Sequence, residues 1–142
     1  MTLRISLRDG ERLVVNGAVL KAHGRVAIGV ESRAAILRGS DLMPASAATT
    51  PARRLYHAGI SAYIDPDNAA RHQDAIIKSL QEVMAALDTP VAAAACAAFA
   101  RKVAGGDYYR ALAECRALIA MENAVPGAAA RRGPVSADLL PA

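Results

Sequence analysis

The chain has 142 residues, 54% of them apolar, which suits one folded domain or a small domain with an appendage and allows a real core. Its most apolar run, VAAAACAAFA, stops at Arg101-Lys102, about half of the roughly 20 residues a membrane span needs, and MTLRISLRDGE carries charge from its fourth residue, so neither a membrane nor a secretory signal is expected and the cytoplasm is the default. The net charge of +4 is uneven: residues 1–54 hold nine Lys/Arg against four Asp/Glu and residues 55–142 hold eight against nine, which points the first third toward an anionic partner such as nucleic acid.

In chain order, the first predicted element is LRISLRDG, where Leu3, Ile5 and Leu7 alternate with Arg4, Ser6 and Arg8 before a turn at Asp9-Gly10. That alternation makes a half-buried strand with a charged outer face. RLVVNGAVLK follows, and a type I′ turn at Asn16-Gly17 pairs Val15 with Ala18, Val14 with Val19, Leu13 with Leu20 and Arg12 with Lys21. In this register Leu13, Val15, Ala18 and Leu20 face the core, while Arg12, Val14, Val19 and Lys21 face out. Arg12 opposite Lys21 costs roughly a few tenths of a kcal/mol unless an anion lies between them. RVAIGVES, with Val26, Ile28 and Val30 alternating, is the fourth strand, and AAILRG, ended by Gly39, is the fifth. Residues 1–43 are therefore expected to form a small five-stranded antiparallel β module.

MPASAATTPARR changes the composition and supplies a linker, residues 44–51, that doubles as a helix start. Thr50 suits the cap and Pro51 the first helical position of a helix running to about Ile64, with Tyr56, Ile60 and Tyr63 on one face. Pro66 stops it, and Asp67 or Asn68 caps a second helix over 69–87 whose stripe is Ile76, Leu80, Val83, Met84 and Leu87. Asp88-Thr89-Pro90 opens an alanine-rich third helix to about Ala104. After Gly105-Gly106 a fourth places Tyr108, Leu112, Cys115 and Ile119 at helical spacing. Residues 125–142 lack periodicity and hold three prolines, the composition of a disordered tail. The whole reads as α+β, a β module followed by a four-helix module spanning 52–124.

Catalytic chemistry finds no foothold. His23 falls in a turn, His57 and His72 lie singly on helices, and Asp65 and Asp67 flank Pro66 in the manner of turn and cap residues. GxSxG, HExxH and P-loop patterns do not occur. Cys96 and Cys115 sit on separate helices without CxxC spacing, which suggests buried reduced thiols. No enzyme activity, no cofactor and no metal are expected.

Three stretches together resemble the flagellum-biosynthesis repressor proteins of the FlbT type: GERLVVNGAVL (10–20), TPARRLYHAGISAYIDPD (50–67) and GGDYYRALAECRALIAMENA (105–124). The resemblance spans about residues 3–124, and its middle stretch is the most specific. His57-Ala58-Gly59 departs from the larger apolar residues expected there, and His23-Gly24 shortens a turn. The resemblance implies a cytoplasmic post-transcriptional regulator that associates with the 5′ untranslated region of flagellin messenger RNA and lowers its translation or lifetime. It also implies a small partner protein that promotes flagellin production.

The β module alone is similar to the carbon storage regulator proteins, small dimeric β-sheet RNA binders. Matched by position, that family's RNA-contacting basic residues fall on Arg8 and Arg38, with Ile5 and Ile36 as apolar neighbours. Leu7 stands where a second basic residue is expected.

The candidate RNA-binding residues are accordingly Arg4, Arg8, Arg12, Lys21 and Arg38. No aromatic precedes Tyr56, so arginine or backbone groups must contact bases as well as phosphates there. The alternative is a protein-binding adaptor or chaperone whose helices dock flagellin or a partner regulator, with Arg53, Arg54 and Tyr56 as contacts. Arg53 and Arg54 sit against the helix dipole, which is mildly unfavourable. A β module this small has exposed edges, so it either pairs with a second copy as a homodimer or leans on the helices.

Overall fold

The computed structural model describes residues 3–125, and the expected tail lies outside them except for Val125. It divides into two compact units, residues 1–42 and 43–142. The first holds strands β1 (Leu3–Leu7), β2 (Arg12–Val15), β3 (Ala18–Lys21), β4 (Val26–Val30) and β5 (Ile36–Arg38). All pairings are antiparallel, and the strands sort into two sheets: β1 with β4, and β3-β2-β5. Asn16 (φ +50°) and Gly17 (φ +85°) both take the left-handed conformation a type I′ turn requires, and the β2–β3 register is the expected one, Arg12 across from Lys21. Asn16 also exchanges hydrogen bonds with Ala35, its N–H reaching the Ala35 carbonyl at 2.8 Å and its Oδ1 accepting the Ala35 N–H at 2.9 Å. The hairpin tip is thereby tied to the start of β5.

The core of this unit is Ile5, Leu7, Leu13 and Ala22, against which Val15, Val26, Ile28, Val30 and Ile36 pack. Two facing expectations are corrected. Ala18 and Leu20 are exposed, Leu20 by 44%, because β3 is the outer strand of its sheet. Val14, expected outward, is 1% exposed and sits across from Leu37, also 1% exposed. Leu13-Val14-Val15 is an unbroken apolar run on the middle strand of three, the pattern of a strand covered on both faces.

The second unit holds α1 (Pro51–Ile64), α2 (Ala69–Ala86), α3 (Pro90–Ala104) and α4 (Tyr108–Ala124). Side chains start three of them. The Thr50 hydroxyl accepts the Arg53 N–H, Thr89 accepts that of Ala92, and Asp107 that of Arg110. Pro51 and Pro90 occupy the first helical positions. Helix α1 packs on α2 and α4, and α3 packs on α4. The buried centre is Leu55, Val83, Phe99, Leu112, Cys115 and Leu118, all fully inaccessible. Met84, expected in the α2 stripe, is instead 52% exposed at the edge of the apolar face. At Gly59 an added Cβ would stand 3.1 Å from the Leu112 side chain, so the small residue lets α1 and α4 approach closely. Among the described residues no helix is long and apolar enough to cross a membrane.

Candidate functional site

The antiparallel register of the first sheet ends with Leu7 across from Val26. One step further, the same register sets Arg8 beside Arg25. Arg38, the last residue of β5, extends toward β1, where its Nη1 donates to the Ser6 carbonyl at 3.3 Å. Three arginines at three separate strand ends thus line one open cleft of about 500 Å³, with Ser6, Leu7 and Glu11 completing its wall. The cleft's single carboxylate is partly committed: Glu11 Oε1 accepts the Arg8 backbone N–H at 2.6 Å, closing the turn that Gly10 allows with φ +84°. The Glu11 N–H returns a bond to the Arg8 carbonyl, and Asp9 Oδ1 accepts the Gly24 N–H at 2.7 Å. These contacts hold the Arg8 and Arg25 ends of the sheet in place.

Like charges brought together at exposed positions repel, and an anion in the cleft relieves the repulsion. Guanidinium groups bind phosphate oxygens through paired N–H donors, and their flat faces stack on bases.

Of the five predicted RNA contacts, the structure brings Arg8 and Arg38 together. Arg4 lies on the same outer face of β1, across from Gly29. Arg12 and Lys21 pair across β2 and β3, but alternation puts them on the face opposite Leu13 and Arg38. Arg25, which no sequence pattern singles out, also lines the cleft. Only the pairing of β1 with β4 reveals it, since Arg25 and Arg8 stand 17 positions apart.

The three helical candidates are engaged within their own unit. Arg54 donates to Glu82 of α2 at 3.0 Å. Tyr56 is 5% exposed, and its hydroxyl accepts from Arg116, whose guanidinium lies 5.5 Å from the ring centre. Arg53 is half-buried in the first turn of α1. The positive end of α1 gains an anion from far along the chain: Glu122 of α4, 8% exposed, accepts the Thr50 hydroxyl at 2.5 Å and the Ala52 N–H at 2.9 Å. Beside it lies a cavity of about 240 Å³ lined by Thr49, Pro51, Ala86, Leu87 and Val125. No group of three or more His, Cys, Asp or Glu among the described residues forms a metal-holding set.

The family model described as flagellar protein FlbT matches residues 3–125. A probable flagellum biosynthesis repressor protein FlbT from a Caulobacter species is 36% identical over 124 residues, 87% of this chain and 95% of that protein. The flagellum biosynthesis repressor protein FlbT of Caulobacter vibrioides is 35% identical over 124 residues, covering 87% of this chain and 88% of its own. A probable counterpart in Agrobacterium fabrum is 29% identical over 124 residues, 87% of this chain and 83% of that one. No solved structure matches the chain.

Proposed function

The chain belongs to the FlbT family of flagellar proteins, and from that premise we propose that it represses flagellin synthesis by binding the 5′ untranslated region of flagellin messenger RNA in the cytoplasm. The relatives named as flagellum biosynthesis repressors support a regulatory role in flagellar synthesis. The observation that carries the RNA reading is the convergence of Arg8, Arg25 and Arg38 on one cleft.

In this reading the cleft grips the leader's phosphates, and the stacking faces of the arginines hold unpaired bases. A leader held in this way is less available to the ribosome, or is passed to nucleases, and flagellin output falls in either case. Binding needs no chemistry at the bound RNA, consistent with a regulatory family. In the helical unit Glu122 caps α1, Glu82 pairs with Arg54, and Glu114 accepts from Lys102 at 2.6 Å.

Crosslinking the protein to RNA in living cells and sequencing the attached fragments tests the proposal. Flagellin leader sequences should be enriched over total messenger RNA. Recovery of leader RNA at its background abundance would sink it, and recovery of flagellin protein without RNA would favour the adaptor reading instead.

A further inference from the structure

The ends of β1, β3 and β5 and the starts of β2 and β4 meet at one rim of the β unit, where hydrogen bonds join the turn at Asp9-Gly10 to the segment 22–24. Five cations stand on this rim: Arg8, Arg12, Lys21, Arg25 and Arg38. The carboxylates of Asp9 and Glu11 share its turns, and each accepts a backbone N–H. Among the described residues none of the five cations enters an ion pair. The cleft accounts for three of them and leaves Arg12 and Lys21 unexplained.

We propose that Arg12 and Lys21 form a second phosphate subsite, and that one single strand of RNA runs from the cleft over this rim to reach it. The inference rests on the RNA reading above and extends its site to the other face of the β3-β2-β5 sheet. A two-residue type I′ hairpin makes Val15 and Ala18 a hydrogen-bonded pair, so by alternation Arg12 and Lys21 are a non-hydrogen-bonded one. That is the closer kind, with Cα atoms about 4.5 Å apart. Like charges so placed repel, and an anion between them removes the repulsion. A phosphate there takes paired N–H donors from the guanidinium and a point charge from the ammonium.

The local backbone opens the route. Gly10 and Glu11 together oppose Ala22: the Gly10 N–H reaches the Ala22 carbonyl at 2.8 Å, and the Ala22 N–H reaches the Glu11 carbonyl at 2.9 Å. With Gly10 at φ +84° this is a glycine-led β-bulge, a device that bends the chain and re-aims its side chains. It separates Arg8, on the cleft, from Arg12, on the far face. The step from Arg38 to Arg12 crosses Gly39, whose added Cβ would stand 3.0 Å from the Arg12 Cβ and 3.2 Å from its carbonyl oxygen. Gly39 puts no side chain across that step, and a glycine lets a ligand's backbone come close. Lys21, Arg12 and Gly39 form one row across the three strands, exposed at Lys21 and half-buried at Arg12. The row is about 10 Å wide, so a strand that fills the cleft needs only a short extension to cover it. Subsites on two faces, joined at one rim, suit a chain of phosphates and not a single small anion.

Fluorescence anisotropy of the full chain over a salt series tests this, with flagellin leader RNA cut into a nested set of fragments down to the shortest that binds. The double variant Arg12→Ala, Lys21→Ala should bind the shortest fragment as the natural chain does. On longer fragments its slope of log K against log salt should be shallower by about 1.4, two lost contacts at about 0.7 each. Lys21→Arg should keep the natural slope. An unchanged circular dichroism spectrum and a urea midpoint no lower than the natural one show that the double variant folds, since it removes a repelling pair. The subsite is overturned if the double variant keeps the natural slope and affinity on long fragments, or if it loses as much on the shortest fragment as on the longest. A slope loss confined to the triple variant Arg8→Ala, Arg25→Ala, Arg38→Ala overturns the extension and leaves the cleft standing. A natural chain that binds no leader fragment overturns the RNA reading and the subsite together.

Discussion

Glu122 shows how much one side chain can decide. Its carboxylate reaches across 70 positions to accept the N–H of Ala52, which is itself fully buried, and the hydroxyl of the capping Thr50. Removing it leaves a buried donor unsatisfied at the positive end of α1, and Glu122→Ala should lower unfolding free energy by about 2–3 kcal/mol in urea titrations. Asp65 offers a pH-dependent counterpart. Its carboxylate accepts from His72 Nε2 and Asn68 Nδ2, both at 2.9 Å, and these bonds, His72 first, hold its pKa below the ordinary aspartate range. A carboxyl with a folded pKa below its unfolded one binds more protons in the unfolded chain. Its stabilising contribution is thus complete above the unfolded value of about 3.9 and lost as pH falls through the folded value. Asp65→Asn should therefore flatten the acid limb of stability below about pH 4, and an unchanged limb would contradict this assignment. Burial, reinforced by the neighbouring Cys96, pushes the Cys115 thiol far above its usual range. Cys115 should resist thiol reagents at pH 8 in the native state and react only on unfolding.

At the scale of the element, the turns and caps were legible because their chemistry is local. Asn-Gly requires two left-handed residues and takes them, and Thr-Pro starts two helices where it occurs. Gly17→Val should cost about 1–3 kcal/mol through a strained turn, read as a lowered urea midpoint, and Thr89→Ala about 1 kcal/mol through its lost cap. What single elements do not reveal is which strands meet. The alternation of β2 predicted one buried face, yet both Leu13 and Val14 are inaccessible. His57-Ala58-Gly59 looked anomalous as a string, but Gly59 faces Leu112 at contact distance and His57 Nδ1 bonds the Met43 carbonyl at 2.9 Å. Gly59→Val should overpack this contact and destabilise by about 1–3 kcal/mol.

For the molecule as a whole, the separation of charge between the first 54 residues and the remainder pointed to an anionic partner, and the RNA proposed above is one such partner. The likeness of the β module to the carbon storage regulators singled out Arg8 and Arg38, which line the cleft, but not Arg25, because its place there depends on the long-range pairing of β1 with β4. The same pairing information puts Arg12 and Lys21 on the face of their sheet opposite Arg38, so the five candidates do not share one face. The central claim is that this cleft holds RNA phosphates. The most direct test is the salt dependence of leader RNA binding by the natural chain and by the triple variant Arg8→Ala, Arg25→Ala, Arg38→Ala. Each lost contact to single-stranded RNA should make the slope of log K against log salt shallower by about 0.7, so the triple variant should lose about 2 from the slope and most of its affinity. A slope and an affinity equal to those of the natural chain would contradict the account.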